Sequence, residues 1–166
     1  MTTYLAVDVH YPDDHSGHAA GVLFHAAGDE RPAATYTTQV AGIAAYVPGQ
    51  FYLREMPCIL AIIAQMSAVP AVVIVDGYVD LDVGPGLGRR LFDECAGTVA
   101  VIGVAKTAYA GAVSAAVLRG QSTKPLYVSA AGLAAADAAH IVKTMHGPHR
   151  MPTLLTWVDQ LARGLR

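Results

Sequence analysis

Asp8, Glu55, Asp76 and Lys106 are the residues of this chain whose types suit chemistry on a charged substrate. Asp76 closes the run Ala71-Val72-Val73-Ile74-Val75-Asp76-Gly77, whose apolar, mostly β-branched residues read as a strand buried on both faces. Sheets of the α/β class place ligands at the carboxyl ends of such strands. Gly77 lets the backbone turn sharply or lets a substrate approach closely. Taken alone, Asp76 would serve equally well as a helix or turn cap. Asp8 is the one acid of the stretch Tyr4 to Tyr11, and Glu55 lies in an apolar helix. A carboxylate there is costly unless paired or metal-bound, so pairing with Arg54 and a solvent-facing position are the alternatives. Three carboxylates brought together cannot all stay ionised without compensation. Mg²⁺, or Mn²⁺ in its place, is a hard cation that takes carboxylate oxygens and would supply it. A site of that kind activates a water and stabilises charge on a phosphate and its leaving oxygen. Lys106 at the rim would complement the developing negative charge.

The elements that must hold these residues follow from the pattern. Tyr4–Tyr11, His18–His25 and Thr35–Val40 read as strands joined by short polar turns, an antiparallel meander whose third member is the most exposed. After Tyr46-Val47-Pro48-Gly49 the period changes, and Phe51–Met66 reads as an apolar helix with Pro57 near its start. The central strand follows, then a glycine-rich loop (Tyr78 to Gly88) that opens a helix over Arg89–Cys95. The Gly84/Gly86/Gly88 spacing is not that of a phosphate-cradling turn. Thr98–Val104 is another buried strand, residues 107–124 read as loop, and Pro125–Ala130 is a last strand. Helices over Leu133–His146 and Pro152–Arg163 close the chain, split by Gly147-Pro148. No repeat and no linker interrupts residues 1–166, which suits one α/β domain.

Composition sets the outer bounds. Of the 166 residues 54% are hydrophobic and 14% charged, with a mean hydropathy of +0.39, so the core is large and a homodimer interface is plausible. No apolar run reaches membrane-spanning length, and the N-terminus shows no basic-then-apolar signal, so the expectation is a cytoplasmic protein without a membrane partner. Cys58 and Cys95 fall in apolar helices and read as two buried thiols. The net charge of −2 hides an asymmetry: residues 1–82 carry nine of the 13 acids, and residues 83–166 carry nine of the 11 bases. Carboxylates for a cation in one half and cations for a polyanion in the other is one reading; ordinary surface solvation is the other.

Three antiparallel strands, a helix, then parallel strands alternating with helices is the element order of a ribonuclease H-like fold, a mixed sheet with helices on both faces. In that order the first and fourth strands are neighbours, and Asp8, Glu55 and Asp76 would converge. The chain also resembles the endonuclease V family. The resemblance rests on Val7-Asp8-Val9-His10-Tyr11, Tyr46-Val47-Pro48-Gly49, Leu53-Arg54-Glu55-Met56-Pro57, Val75-Asp76-Gly77, Ile102-Gly103-Val104-Ala105-Lys106, Pro125-Leu126-Tyr127-Val128-Ser129 and His149-Arg150-Met151-Pro152, in family order. It implies a nuclease that hydrolyses a phosphodiester 3′ to a deaminated base, chiefly hypoxanthine, in DNA or RNA. It implies Asp8, Glu55 and Asp76 as metal-binding catalytic acids and Lys106 as the active-site cation. Tyr46, Val47, Pro48 and Gly49 would be the wedge that parts strands beside the lesion, as a rigid aromatic and apolar turn can fill the gap left by an extruded base. Gly49 and Gly77 would line the base pocket, and Arg89 and Arg119 would contact nucleic acid.

The departures are local. The family follows its strand-end acid with Asp-Gly-His-Gly and then carries an active-site His; here the run is Asp76-Gly77-Tyr78-Val79, and Asp82 or Val83 stands where that His belongs. Asp82 would either join the metal ligands or add repulsion. Two functions follow: a metal-dependent nuclease, or a catalytically impaired relative that binds nucleic acid or a protein partner without cleavage.

Overall fold

A computed structural model describes residues 1–166. Three strands, β1 (Tyr4–His10), β2 (Ser16–Phe24) and β3 (Ala34–Ala41), form the expected meander, each antiparallel to the next. β3 is half exposed along its length, as its alternation predicts. The chain then crosses through α1 (Tyr52–Ile63) to β4 (Val72–Asp76), which pairs parallel to β1. Next comes a small ribbon of β5 (Asp80–Leu81) and β6 (Gly84–Pro85), where the sequence reads as plain loop. It leads into α2 (Leu87–Glu94) and β7 (Ala100–Ala105), parallel to β4. The sheet is completed by β8 (Ala115–Val117) and β9 (Leu126–Ala131), in the order β3-β2-β1-β4-β7-β9-β8, and α3 (Ala135–Thr144) and α4 (Thr153–Ala162) close the chain.

One direction differs from expectation. β4 and β7 continue parallel to β1, but β9 runs antiparallel to β7, with Ala105 opposite Tyr127. A parallel neighbour needs a crossover of a dozen or more residues, usually a helix, to return to the starting end. Residues 106–125 contain β8 and no helix, so the chain leaves and re-enters the sheet at one end.

The alternation of strand residues splits the core in two. Leu5, Val7, Val73, Val75 and Val101 face α1 and α2, burying Ile59, Ile62 and Leu91. Ala6, Ile74, Ile102 and Val104 face α3 and α4, burying Val142, Leu154 and Val158. Each fully buried aliphatic side chain stabilises the fold by about 1.5–3 kcal/mol, so both layers hold firmly. Gly21 lets α1 settle on β2: a Cβ there would stand 2.5 Å from Ile62 Cγ2. Of the two thiols, Cys58 is buried as expected, but Cys95 at the end of α2 is only partly covered. No helix is long and apolar enough to cross a membrane.

Candidate active site

The two strand acids meet because of register. β1 and β4 pair from Tyr4 with Val72 through Ala6 with Ile74, and the pairing stops there. Continuing that offset brings Asp8 level with Asp76 just where the strands part. Both share the parity of Ala6 and Ile74, so both belong to the α4 face. Lys106 follows the last residue of β7, whose Val104 pairs with Asp76 and accepts a hydrogen bond from Gly77 N at 3.0 Å. Glu55 arrives from the opposite face, in the first turn of α1, and reaches past the end of β1. The four side chains line one bowl of about 210 Å³ at the carboxyl ends of the parallel strands.

A fifth group stands there that the sequence reading missed. Asp159, on α4, lines the same bowl and also a smaller cavity of about 100 Å³ beneath Asp8 and Asp76. It accepts from Arg163 Nε at 3.0 Å. Its sequence signal was faint: a lone acid in the helix bearing Leu154, Leu155 and Val158, with no motif around it.

The electrostatics of the bowl are those of crowded carboxylates. Burial pushes Asp8 up to about 7, with Asp76 and Asp159 raising it and the Val9 N–H, 2.9 Å from its Oδ1, holding it back. Burial pushes Glu55 up to about 8; the Tyr11 hydroxyl, donating to Oε1 at 3.0 Å, opposes this, while Asp8 and Asp76 add to it. Asp76 reaches solvent, yet the walls around it exclude enough water to raise it, against the attraction of Lys106. Burial also works to raise Asp159, but Arg163 and a hydrogen bond from Asp8 hold it below the usual carboxylate range. The acids stand around the bowl without closing into a ready-made cage of three metal-ligating side chains.

Glu55 does not depend on an ion pair with its neighbour. Arg54 is buried over the Tyr11 ring, its guanidinium carbon 4.1 Å from the ring centre, and attracts Glu55 only as a nearby charge. Tyr46 and Val47 are 60% and 42% exposed in the segment that leads into α1. Gly49 has φ +78 and open space around it, and Gly77 has φ +106. Gly77 lines a pocket beside Asp76, whereas Gly49 lines none of the cavities described here.

Three expected positions are corrected. Asp82 is exposed and accepts from the Tyr109 hydroxyl at 3.2 Å; it lines neither acid cavity, so it stands outside the group of carboxylates. Arg89 is held by both oxygens of Asp80, at 3.1 and 2.9 Å, which engages its guanidinium before any phosphate. Arg119 is 4% exposed and donates to the carbonyls of Met145, Gly147, His149 and Arg150, so it clamps the α3–α4 connection and offers nothing to nucleic acid. The Gly84/Gly86/Gly88 run binds no phosphate-shaped cradle either: a Cβ on Gly86 or Gly88 would collide with the Val79 backbone, so these glycines seat α2 against that residue.

A mixed sheet with this strand order, helices on both faces and acids gathered where the first and fourth strands part defines a ribonuclease H-like protein. Residues 1–116 match the endonuclease V family, and the chain belongs to it. It is similar to an endonuclease V of Xylella fastidiosa, 38% identical over 78 residues, a stretch that spans 46% of this chain and only 32% of that relative. Its structure is similar to the endonuclease V of Streptomyces avermitilis, with 27% identity, a TM-score of 0.82, and coverage of 98% of this chain and 80% of the other. It is also similar in fold to the endonuclease V of Ciona intestinalis, solved in complex with a DNA containing an inosine followed by a ribo-adenosine (19% identity, TM-score 0.83, coverage 98% and 84%).

Proposed function

We propose that this chain is a metal-dependent endonuclease of the endonuclease V type, hydrolysing a phosphodiester 3′ to a deaminated base, hypoxanthine above all, in DNA or RNA. The observation that carries it is the convergence of Asp8, Glu55, Asp76 and Lys106 on one bowl in a chain of this family. The Ciona intestinalis relative bound to inosine-containing DNA supports the substrate class.

The donor chemistry suits a hard divalent cation, although no three of the acids stand ready to hold one together, so a cation would have to draw them in. The bowl offers carboxylate oxygens, and the burial and mutual repulsion of Asp8, Asp76 and Asp159 are what a cation would relieve. Asp8, Asp76 and Asp159 would hold Mg²⁺ or Mn²⁺, with Glu55 completing the group from α1. When bound, the cation supplies a nucleophilic water and neutralises charge on the phosphate. The chain's own residues do the rest. Lys106 presents an ammonium to the phosphate oxygens as their charge grows. The Tyr11 hydroxyl fixes the orientation of Glu55. The exposed Tyr46-Val47-Pro48-Gly49 turn stands at the entry to α1, where it would fill the space left by an extruded base.

A second reading, binding without cleavage, is favoured by one observation: no histidine stands in the 78–86 ribbon, and Asp82 there is taken up by Tyr109. Nicking of an inosine-containing oligonucleotide with Mg²⁺ or Mn²⁺ decides between them. The wild type is expected to nick beside the lesion, and Asp76→Asn and Asp159→Asn each to slow it by about a hundredfold or more. Tight binding with no cleavage in either metal would select the second reading.

A further inference from the structure

The acid bowl continues sideways across the sheet, toward β3. His10 follows Asp8 by two residues in β1 and so stands on the same, α4-facing side. His18 is its partner in β2, and Gln39 is the partner of His18 in β3, so the three form one row across the sheet. The two imidazole rings meet edge to face, their centroids 6.5 Å apart and their planes inclined by 71°. His10 lines the bowl, whereas His18 lines a separate groove of about 350 Å³. The histidine pair is the passage from one to the other.

The groove exists because α4 rests on β1 and β2 and leaves the neighbouring face of β3 uncovered. The exposed Thr37 and Gln39 form its floor, and the end of α4 with Arg166 forms its wall. Arg166 lies over the Trp157 ring, its guanidinium carbon 3.9 Å from the ring centre, and donates through Nε to Gln160 at 2.7 Å. Neither partner is charged, so the cation is held in place without being neutralised, and its terminal N–H groups are left to donate. No acidic side chain lines the groove, whereas four line the bowl. Guanidinium, imidazole, hydroxyl and amide groups together suit an anion that accepts several hydrogen bonds, and a nucleic-acid backbone presents such an anion at every linkage. An imidazole keeps at least one N–H donor in either protonation state, so both histidines can contribute.

We propose that this groove holds backbone phosphates of the substrate strand on the 3′ side of the scissile bond, with His10 and His18 leading the strand out of the bowl and Arg166 pairing with a phosphate. The side follows from the order across the sheet. The pocket lined by Gly77 lies beyond Asp76 toward β7, so the target base takes that side of the bowl and the outgoing strand takes the β2–β3 side. The inference rests on the nuclease reading of the acid bowl. It makes His18 and Arg166 binding residues that contact phosphate and read no base.

The test uses the Asp76→Asn chain with Mg²⁺ and inosine-containing single strands that each carry one uncharged methylphosphonate linkage. The linkage is placed at one of the first three positions 3′ of the scissile bond, or at the matching positions 5′ of the inosine. Fluorescence anisotropy is expected to show at least one 3′ substitution weakening binding about tenfold. Adding His18→Ala and Arg166→Ala should weaken the unmodified strand by a similar factor, make that 3′ substitution silent, and leave the effect of the 5′ substitutions unchanged. Arg166→Ala alone should lower the slope of log affinity against log salt by about 0.7, and Arg166→Lys should keep it. The proposal is overturned if the 3′ substitutions weaken the parent and the double variant by the same factor, or if the double variant silences a 5′ linkage instead. Failure of the nuclease reading looks different: the wild type leaves the inosine strand uncut while the 3′ coupling persists. No binding of any strand overturns both.

Discussion

Asp8 and Asp159 line one bowl, and Arg163 donates to Asp159 alone. That asymmetry explains why neighbouring carboxylates separate: Asp8 is driven up to about 7 while Asp159 stays low. Glu55 differs again, since its one strong compensation is the Tyr11 hydroxyl. Tyr11→Phe removes a bond that favours the ionised form and leaves the burial in place, so the Glu55 carboxyl should rise further from about 8. In the metal-free chain the expected outcome is a Glu55 carboxyl titration, followed by ¹³C NMR, displaced to higher pH by about half a unit to one unit. An unchanged midpoint would show that Tyr11 only shapes the wall.

The elements converge on the site from three directions, and α4 is the one whose position needs explaining, because only the α3–α4 connection precedes it. Arg119, just after β8, spans that connection with hydrogen bonds to four of its carbonyls. Gly120 follows at φ +57, where a Cβ would fall 1.8 Å from the Pro148 carbonyl oxygen, so the backbone there runs directly beneath the connection. Arg119 therefore sets where α4 begins and hence where Asp159 stands. Arg119→Met keeps the length of the side chain but leaves buried carbonyls without donors, at a cost of about 3 kcal/mol. Urea unfolding should register this as a lower midpoint with an unchanged slope. A midpoint within a few tenths of a kilocalorie of wild type would mean that water replaces the guanidinium.

On the scale of the whole molecule, the acid bowl ties stability to pH. In the fold Asp8 titrates at about 7 rather than 3.8, and Glu55 at about 8 rather than 4.5. Between those limits the native state holds protons that the unfolded chain has released. The contribution is complete below about pH 4, where both states are protonated, and it is lost as the pH rises through 7 to 8. Without metal, the chain should be less stable at pH 8.5 than at pH 5.5 by on the order of 5 kcal/mol from these two groups. Asp8→Asn should flatten the dependence. Saturating Mg²⁺ should restore stability at the higher pH, because a cation binds the ionised carboxylates of the native state only. Equal urea midpoints at both pH values in wild type and Asp8→Asn would show that these burials are relieved by water. The split of acids and bases between the chain's halves acquires a partial meaning: Asp8, Glu55 and Asp76 from the first half face Lys106 and Arg163 from the second, but Arg89 and Arg119 are spent on internal partners.

Much of this was readable before any coordinates. The meander, the apolar run ending at Asp76, the switch of period into α1 and the acids at a strand's middle, a helix start and a strand end are local facts, because strand and helix periodicity are written residue by residue. Family order among the motifs placed Asp8, Glu55 and Asp76 on neighbouring elements. What needed the tertiary structure were properties of distant pairs. The direction of β9 depended on the absence of a crossover helix between Lys106 and Leu126. Asp159 joined the bowl through the docking of α4, which no motif marks. Arg89, Arg119 and Asp82 looked available as charges in a sequence, but a charge is free only if nothing nearby has claimed it. Asp80, four carbonyls and Tyr109 had, and only packing decides that.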